Sequence, residues 1–143
     1  MAGPIVLGYD GSPCSKAALH ETAAMARALG RPVIVTFGYA AYPVGGETRD
    51  QELLLARFAR ETVAEAVAYL RDAGLEVEAA IVHDRPAASL LDVVEQRDGS
   101  LIVVGTNGEN PVIGAILGSV PQKLLHLAHV PVLVVPASAP ADD

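Results

Sequence analysis

The stretch from Leu101 to Lys123 constrains this chain more than any other. Leu101 to Val104 is a short apolar run of the kind that forms a buried strand. Gly105 and Gly108 punctuate the segment that follows, and Gly118-Ser119 opens a new helical pattern. A strand that feeds a glycine-rich loop and then a helix start suits an anion. Glycine has no Cβ, so backbone can approach a ligand closely. The first N–H groups of a helix have no internal acceptor and favour negative charge. No part of that argument requires a cationic side chain.

The rest of the chain repeats the theme. Ile5 to Leu7 reads as the first strand, ending at Gly8-Tyr9-Asp10-Gly11. Ser12 then suits the N-cap and Pro13 the first position of a helix that Gly30 stops and Pro32 confirms. Pro32 to Phe37 reads as the second strand, and Gly38 to Arg49, with Pro43, Gly45 and Gly46, as a loop. Asp50 to Ala73 carries a helical stripe of Leu54, Phe58, Val63, Val67 and Leu70, closed by Gly74. Leu75, Val77, Ala79 and Ile81 alternate as expected for an edge strand. Pro86 starts a third helix that ends near Gly99. After the strand at Leu101 comes a last helix over about Ser119 to Ala128, then a strand at Val130 to Val135. Ala137 to Asp143 reads as a frayed tail.

That alternation predicts an α/β fold, an open five-stranded parallel sheet with helices on both faces. The 51% apolar content fits it, because it is mostly Ala, Val, Leu and Ile with 4% aromatics. One domain over residues 1–143 is expected. In such sheets ligands sit beyond the C-terminal strand ends, where the winding reverses. Gly8-Tyr9-Asp10-Gly11 and Gly105-Thr106-Asn107-Gly108 are both Gly-x-x-Gly turns at a strand exit. With the first and fourth strands as neighbours, they flank one crevice.

Three segments together resemble the universal stress protein family: Leu7-Gly8-Tyr9-Asp10-Gly11-Ser12, the Gly105-x2-Gly108-x9-Gly118-Ser119 spacing, and Val130-Pro131-Val132-Leu133-Val134-Val135. The glycine spacing is similar to that of the family's ATP-binding branch. The resemblance implies a Rossmann-like, adenine nucleotide alpha hydrolase-like sheet of order 3-2-1-4-5. It implies a stress-response regulator that binds an adenine nucleotide, ATP first, AMP or cyclic AMP as alternatives, with Mg²⁺ accompanying the nucleotide. It implies a homodimer through the last strand. By position, Asp10 lies against the nucleotide and Gly38 contacts adenine through main chain. Gly105, Gly108, Gly118, Ser119 and Val120 cradle ribose and phosphates.

The chain departs from the family pattern in charge. Thr106 and Asn107 stand where members often carry Arg or Lys, and Glu109 lies in a spacer that holds no cation. Asp84-Arg85-Pro86 replaces the usual Gly-x-Pro turn before the third helix, and Arg85 is a candidate substitute cation. A cation on a triphosphate contributes ~1–3 kcal/mol, so its loss costs about tenfold in affinity. AMP and cyclic AMP, with less charge, lose less.

Other classes find little support. A net charge of −7 argues against nucleic acid as a partner. The last apolar run is too short and Pro-rich to span a bilayer. No basic leader precedes Asp10, so no signal peptide and a cytoplasmic location are expected. There is no Gly-x-Ser-x-Gly elbow and no Gly-x4-Gly-Lys-Ser/Thr loop, and no His or carboxylate pair falls in the motif loops. No catalytic residues are therefore assigned, and any hydrolysis is expected to be slow and Mg²⁺-dependent. His126 and His129 lack further ligands for a metal, and Lys123 sits inside its helix. Two alternatives stand beside the nucleotide reading: a dimeric interaction protein that binds no nucleotide, and a thiol sensor using Cys14, the one cysteine, in the first turn of the first helix.

Overall fold

The computed structural model describes residues 3–40, 49–107 and 117–137. Their element order is β1 (Ile5–Gly8), α1 (Pro13–Leu29), β2 (Val33–Gly38), α2 (Arg49–Asp72), β3 (Val77–Val82), α3 (Pro86–Arg97), β4 (Leu101–Gly105), α4 (Ser119–Leu127) and β5 (Val132–Val135). The strands form one parallel sheet of order β3-β2-β1-β4-β5, as expected. The central strand is also the most buried: Ile5, Val6 and Leu7 expose no surface at all. A strand with helices on both faces must be apolar at every position, which is why β1 reads as a continuous run.

Alternate residues of the strands go to opposite layers. Ile5, Leu7, Val33, Val35 and Val103 pack with α1 and α2. Val6, Ile34, Ile102 and Val104 pack with α3 and α4. Helix α1 starts and stops where its sequence directs. Ser12 is the N-cap, Pro13 fills the first position, and Gly30 closes the helix in the left-handed region at φ 66°. Helix α3 ends differently. Asp98, at φ 53°, takes the left-handed capping position. Gly99 is held to glycine by space, since a Cβ there would lie 2.9 Å from Val6 Cγ2.

Two expectations about the core need correction. Val63, Val67 and Leu70 of α2 are buried, but Leu54 and Phe58 are 64% and 49% exposed. At 1.5 Å per residue the 24-residue helix is about 36 Å long, whereas a six-residue strand covers about 20 Å. Only its C-terminal half lies on the sheet. The alternation read in β3 holds at Val77, which is buried, while Ala79 and Ile81 are exposed because that half-helix does not reach them. Ala80 and Val82, on the other parity, pack toward α3. Residues 41–48 of the expected loop and 138–143 of the expected tail lie outside the described residues.

Candidate functional site

Strand β1 lies between β2 and β4, so the winding reverses between β1 and β4. A cavity of about 370 Å³ opens there, beyond the strand ends. That volume suits a small-molecule ligand. Its apolar lining includes Gly8, Phe37, Pro86, Leu90, Val104 and Pro121. Its polar lining includes Asp10, Ser12, Ser15, Asn107 and Ser119.

The turn after β1 satisfies itself. The Tyr9 amide donates to the Thr36 carbonyl at 3.0 Å, which fixes the strand exit. Asp10 Oδ1 accepts from the Ser12 amide at 2.9 Å. Gly11 has φ 83°, a conformation that favours glycine. Ser12 Oγ accepts from the Ser15 amide at 3.3 Å, and the Ser15 hydroxyl returns a 3.0 Å bond to the Ser12 carbonyl. The Tyr9 hydroxyl donates to Glu65 Oε1 of α2 at 2.8 Å. Burial, then that bond and the carboxylate charges of Glu65 and Asp10, push the phenol pKa well above its usual value.

The turn after β4 is built from close backbone approaches. A Cβ on Gly105 would lie 2.6 Å from the Cys14 carbonyl carbon, so glycine lets β4 meet α1. A Cβ on Gly118 would lie 3.0 Å from the Thr106 carbonyl oxygen, the same oxygen that accepts from the Gly118 amide at 2.7 Å. These two glycines therefore make room for the protein's own chain at the edge of the cavity they line. That refines the expectation that they are glycine to admit a ligand. Cys14, half-buried, places Sγ 3.4 Å from Thr106 Oγ1.

Helix α4 begins without a side-chain cap, because its N-cap is Gly118. Ser119 and Val120 therefore direct their amides outward with no intrahelical acceptor, and Pro121 has no amide to offer. Gly38 sits across the crevice. The Thr36 carbonyl faces β1, and the Tyr39 amide bonds the Val82 carbonyl on the β3 side at 3.1 Å. By strand alternation Gly38 turns its peptide groups to the β1 side, beyond the point where β1 ends. Its missing side chain is the space taken by Ser89 and Pro86 of α3.

Of the expected site residues, Asp10, Gly38, Gly105, Gly118, Ser119 and Val120 line this one cavity. Gly108, like Glu109, lies outside the described residues. Arg85 is the exposed N-cap of α3, and it is Pro86 and Leu90 of that segment that line the cavity. Among the described lining residues there is no Lys, Arg or His, and Asp10 is the one carboxylate. Sequence reasoning missed Thr36, although a signal was present: it is the one polar side chain in Val33–Gly38.

An open parallel sheet with a ligand-sized crevice at its reversal defines a doubly wound, Rossmann-like α/β fold. The family is settled by similarity: the universal stress protein family model matches residues 1–136, and the chain belongs to that family. It is 34% identical over 132 residues to a Thermus aquaticus universal stress protein, covering 92% of this chain and 96% of the relative. It is 31% identical to a Mycobacterium tuberculosis universal stress protein, of which it spans 44%. Among solved structures, a universal stress protein in complex with cAMP aligns over 96% of this chain and 100% of its own, at 26% identity and TM-score 0.75. One from Archaeoglobus fulgidus in complex with dAMP aligns over 93% and 97%, at 28% identity and TM-score 0.70. Among the described residues no helix is long and apolar enough to cross a membrane.

Proposed function

We propose that this protein binds an adenine nucleotide in the crevice between the β1 and β4 exits and acts as a nucleotide-responsive regulator. The observation that carries the reading is the cavity itself, which is lined by apolar side chains and by the start of α4, a helix without a side-chain cap. The apolar lining suits a purine, with the Gly38 main chain beside it. The Ser119 and Val120 amides suit a phosphate, with Gly105 and Gly118 shaping the cradle. Asp10 would meet the ribose or hold Mg²⁺. The solved relatives with cAMP and dAMP support the same ligand class.

Charge then ranks the nucleotides. With Asp10 and no described cation on the lining, a triphosphate needs Mg²⁺ as its counter-charge. AMP and cyclic AMP need it less. Calorimetric titration with AMP, cyclic AMP and ATP, each with and without Mg²⁺, tests both points. We expect micromolar binding of the monophosphates without metal and a Mg²⁺ requirement for ATP. No heat with any of them overturns the reading.

We also propose a homodimer through β5. Its residues Val132–Val135 are all half-buried apolar side chains on an edge strand, and Leu125 and Leu127 of the preceding helix are more than half exposed. An unpaired parallel edge of this kind can zip against a second copy. Sedimentation should give a dimer; a monomer at every concentration removes the idea.

A further inference from the structure

One polar atom in the cavity wall has no partner. Thr36 is 2% exposed, and its Oγ1 accepts and donates no hydrogen bond among the described residues. It lines the cavity at the level where β1 ends, since it pairs in register with Gly8, the last residue of β1. Its same-face neighbours across the sheet are Gly8 on one side and Ala80 on the other, so neither offers a polar group. Leu90 of α3 and Val104 of β4 complete the apolar surroundings, each with a methyl carbon 3.1 Å from the position of a Cβ on Gly8. A hydroxyl removed from water and left unbonded destabilises the fold, whereas valine would fill the same volume without that cost. A polar group of this kind in a ligand cavity is expected to find its partner in the ligand.

We infer that the Thr36 hydroxyl hydrogen-bonds an edge atom of the bound base and so helps set which heteroaromatic ring the crevice accepts. This rests on the adenine-nucleotide reading and deepens it. The hydroxyl can donate to a ring nitrogen or accept from an exocyclic amine, and adenine carries both. A ring that brought only carbon to that point would leave the hydroxyl unpaired in the complex as well as in the free protein. Sites built around such a group reject ligands that cannot satisfy it.

The test is titration of wild-type protein, Thr36→Val and Thr36→Ser with AMP and its 1-deaza, 3-deaza and 7-deaza analogues, together with thermal unfolding of each ligand-free protein. Thr36→Val should bind AMP about fivefold more weakly. It should unfold at the same or a higher temperature than wild type when free, because an orphaned hydroxyl is gone. Thr36→Ser should retain AMP affinity within about twofold. If a ring nitrogen is the partner, the analogue lacking it should lose affinity in the wild type and bind Thr36→Val and wild type alike; a uniform Thr36→Val penalty on all three analogues would assign the exocyclic amine. Unchanged or tighter AMP binding by Thr36→Val overturns the inference and assigns the hydroxyl to a buried water. Should Thr36→Val fail to fold, wild-type protein that binds every deaza analogue as well as AMP, and 6-methylpurine ribotide equally, overturns it too. If wild-type protein binds no AMP at all, the adenine-nucleotide reading itself falls, a result distinct from either of these.

Discussion

The two strand-to-helix turns look like copies in the sequence and behave as opposites in the structure. After β1, the side chains of Asp10 and Ser12 turn back onto the local backbone: Asp10 accepts from the Ser12 amide, Ser12 Oγ accepts from the Ser15 amide, and Pro13 removes a donor that would otherwise need a partner. After β4, the Gly118 amide bonds the Thr106 carbonyl, and α4 starts with no side-chain cap. The first turn carries its own side-chain cap. The second leads into a helix whose first amides have no acceptor within the helix and whose first residues line the cavity. A helix start becomes an anion site only when nothing in its own sequence occupies it.

Four variants break or sharpen that contrast. The largest effect is expected from Gly105→Ala, whose Cβ would lie 2.6 Å from the Cys14 backbone. Backbone cannot move aside as a side chain does, so we expect a loss of about 1–3 kcal/mol in chemical denaturation and loss of nucleotide binding with it. Gly118→Ala introduces a milder contact, 3.0 Å from the Thr106 oxygen, at a turn that holds the start of α4. Here the expected loss is in affinity, about tenfold by calorimetry, with a smaller change in stability. Ser12→Ala should do the reverse. Removing this N-cap costs about 1 kcal/mol, a fall of roughly 3–4 °C in Tm, while AMP affinity stays within about twofold. If Ser12→Ala harms binding more than Gly118→Ala, the distinction between a closed turn and an open one is wrong.

The smallest effect concerns the closed turn at high pH. The phenol pKa of Tyr9 is raised by burial and by Glu65, so the folded protein keeps a proton that the unfolded chain releases. The unfolded tyrosine titrates near pH 10, so the contribution is complete below about that pH and is lost as pH rises further. Denaturation midpoints should therefore fall from about pH 10 upward, and fall less steeply in Tyr9→Phe. Parallel profiles for the two proteins would remove the argument.

Local signals in the chain were strong wherever local chemistry decides the outcome. Ser12-Pro13 and Gly30 bounded α1, the apolar run Ile5–Leu7 marked the first strand, and the order of elements carried the parallel α/β class, while the strand order followed from the family resemblance. The site was legible as a set of residues: Asp10, Gly38, Gly105, Gly118, Ser119 and Val120 meet at one cavity although up to 110 positions separate them. What each glycine is for was not legible. Whether a missing Cβ makes room for a ligand or for Cys14, Thr106 or Ser89 depends on which backbone arrives opposite it, and no sequence window contains both partners.

The same division holds for the core. By itself the sequence determined that α2 is amphipathic, because periodicity is a property of neighbours three and four apart. Only the tertiary structure decided that its stripe is buried at Val63, Val67 and Leu70 and exposed at Leu54 and Phe58, because that depends on where a sheet of short strands ends. Thr36 follows the same rule. Its polarity in an apolar strand was visible along the chain, but its isolation arises from Gly8, Ala80 and Leu90, which the fold brings together from three other elements. Local preferences are set by bonded neighbours and survive in any context. Burial, space and hydrogen-bond supply are set by residues far apart in the chain, and they exist only once the sheet has assembled.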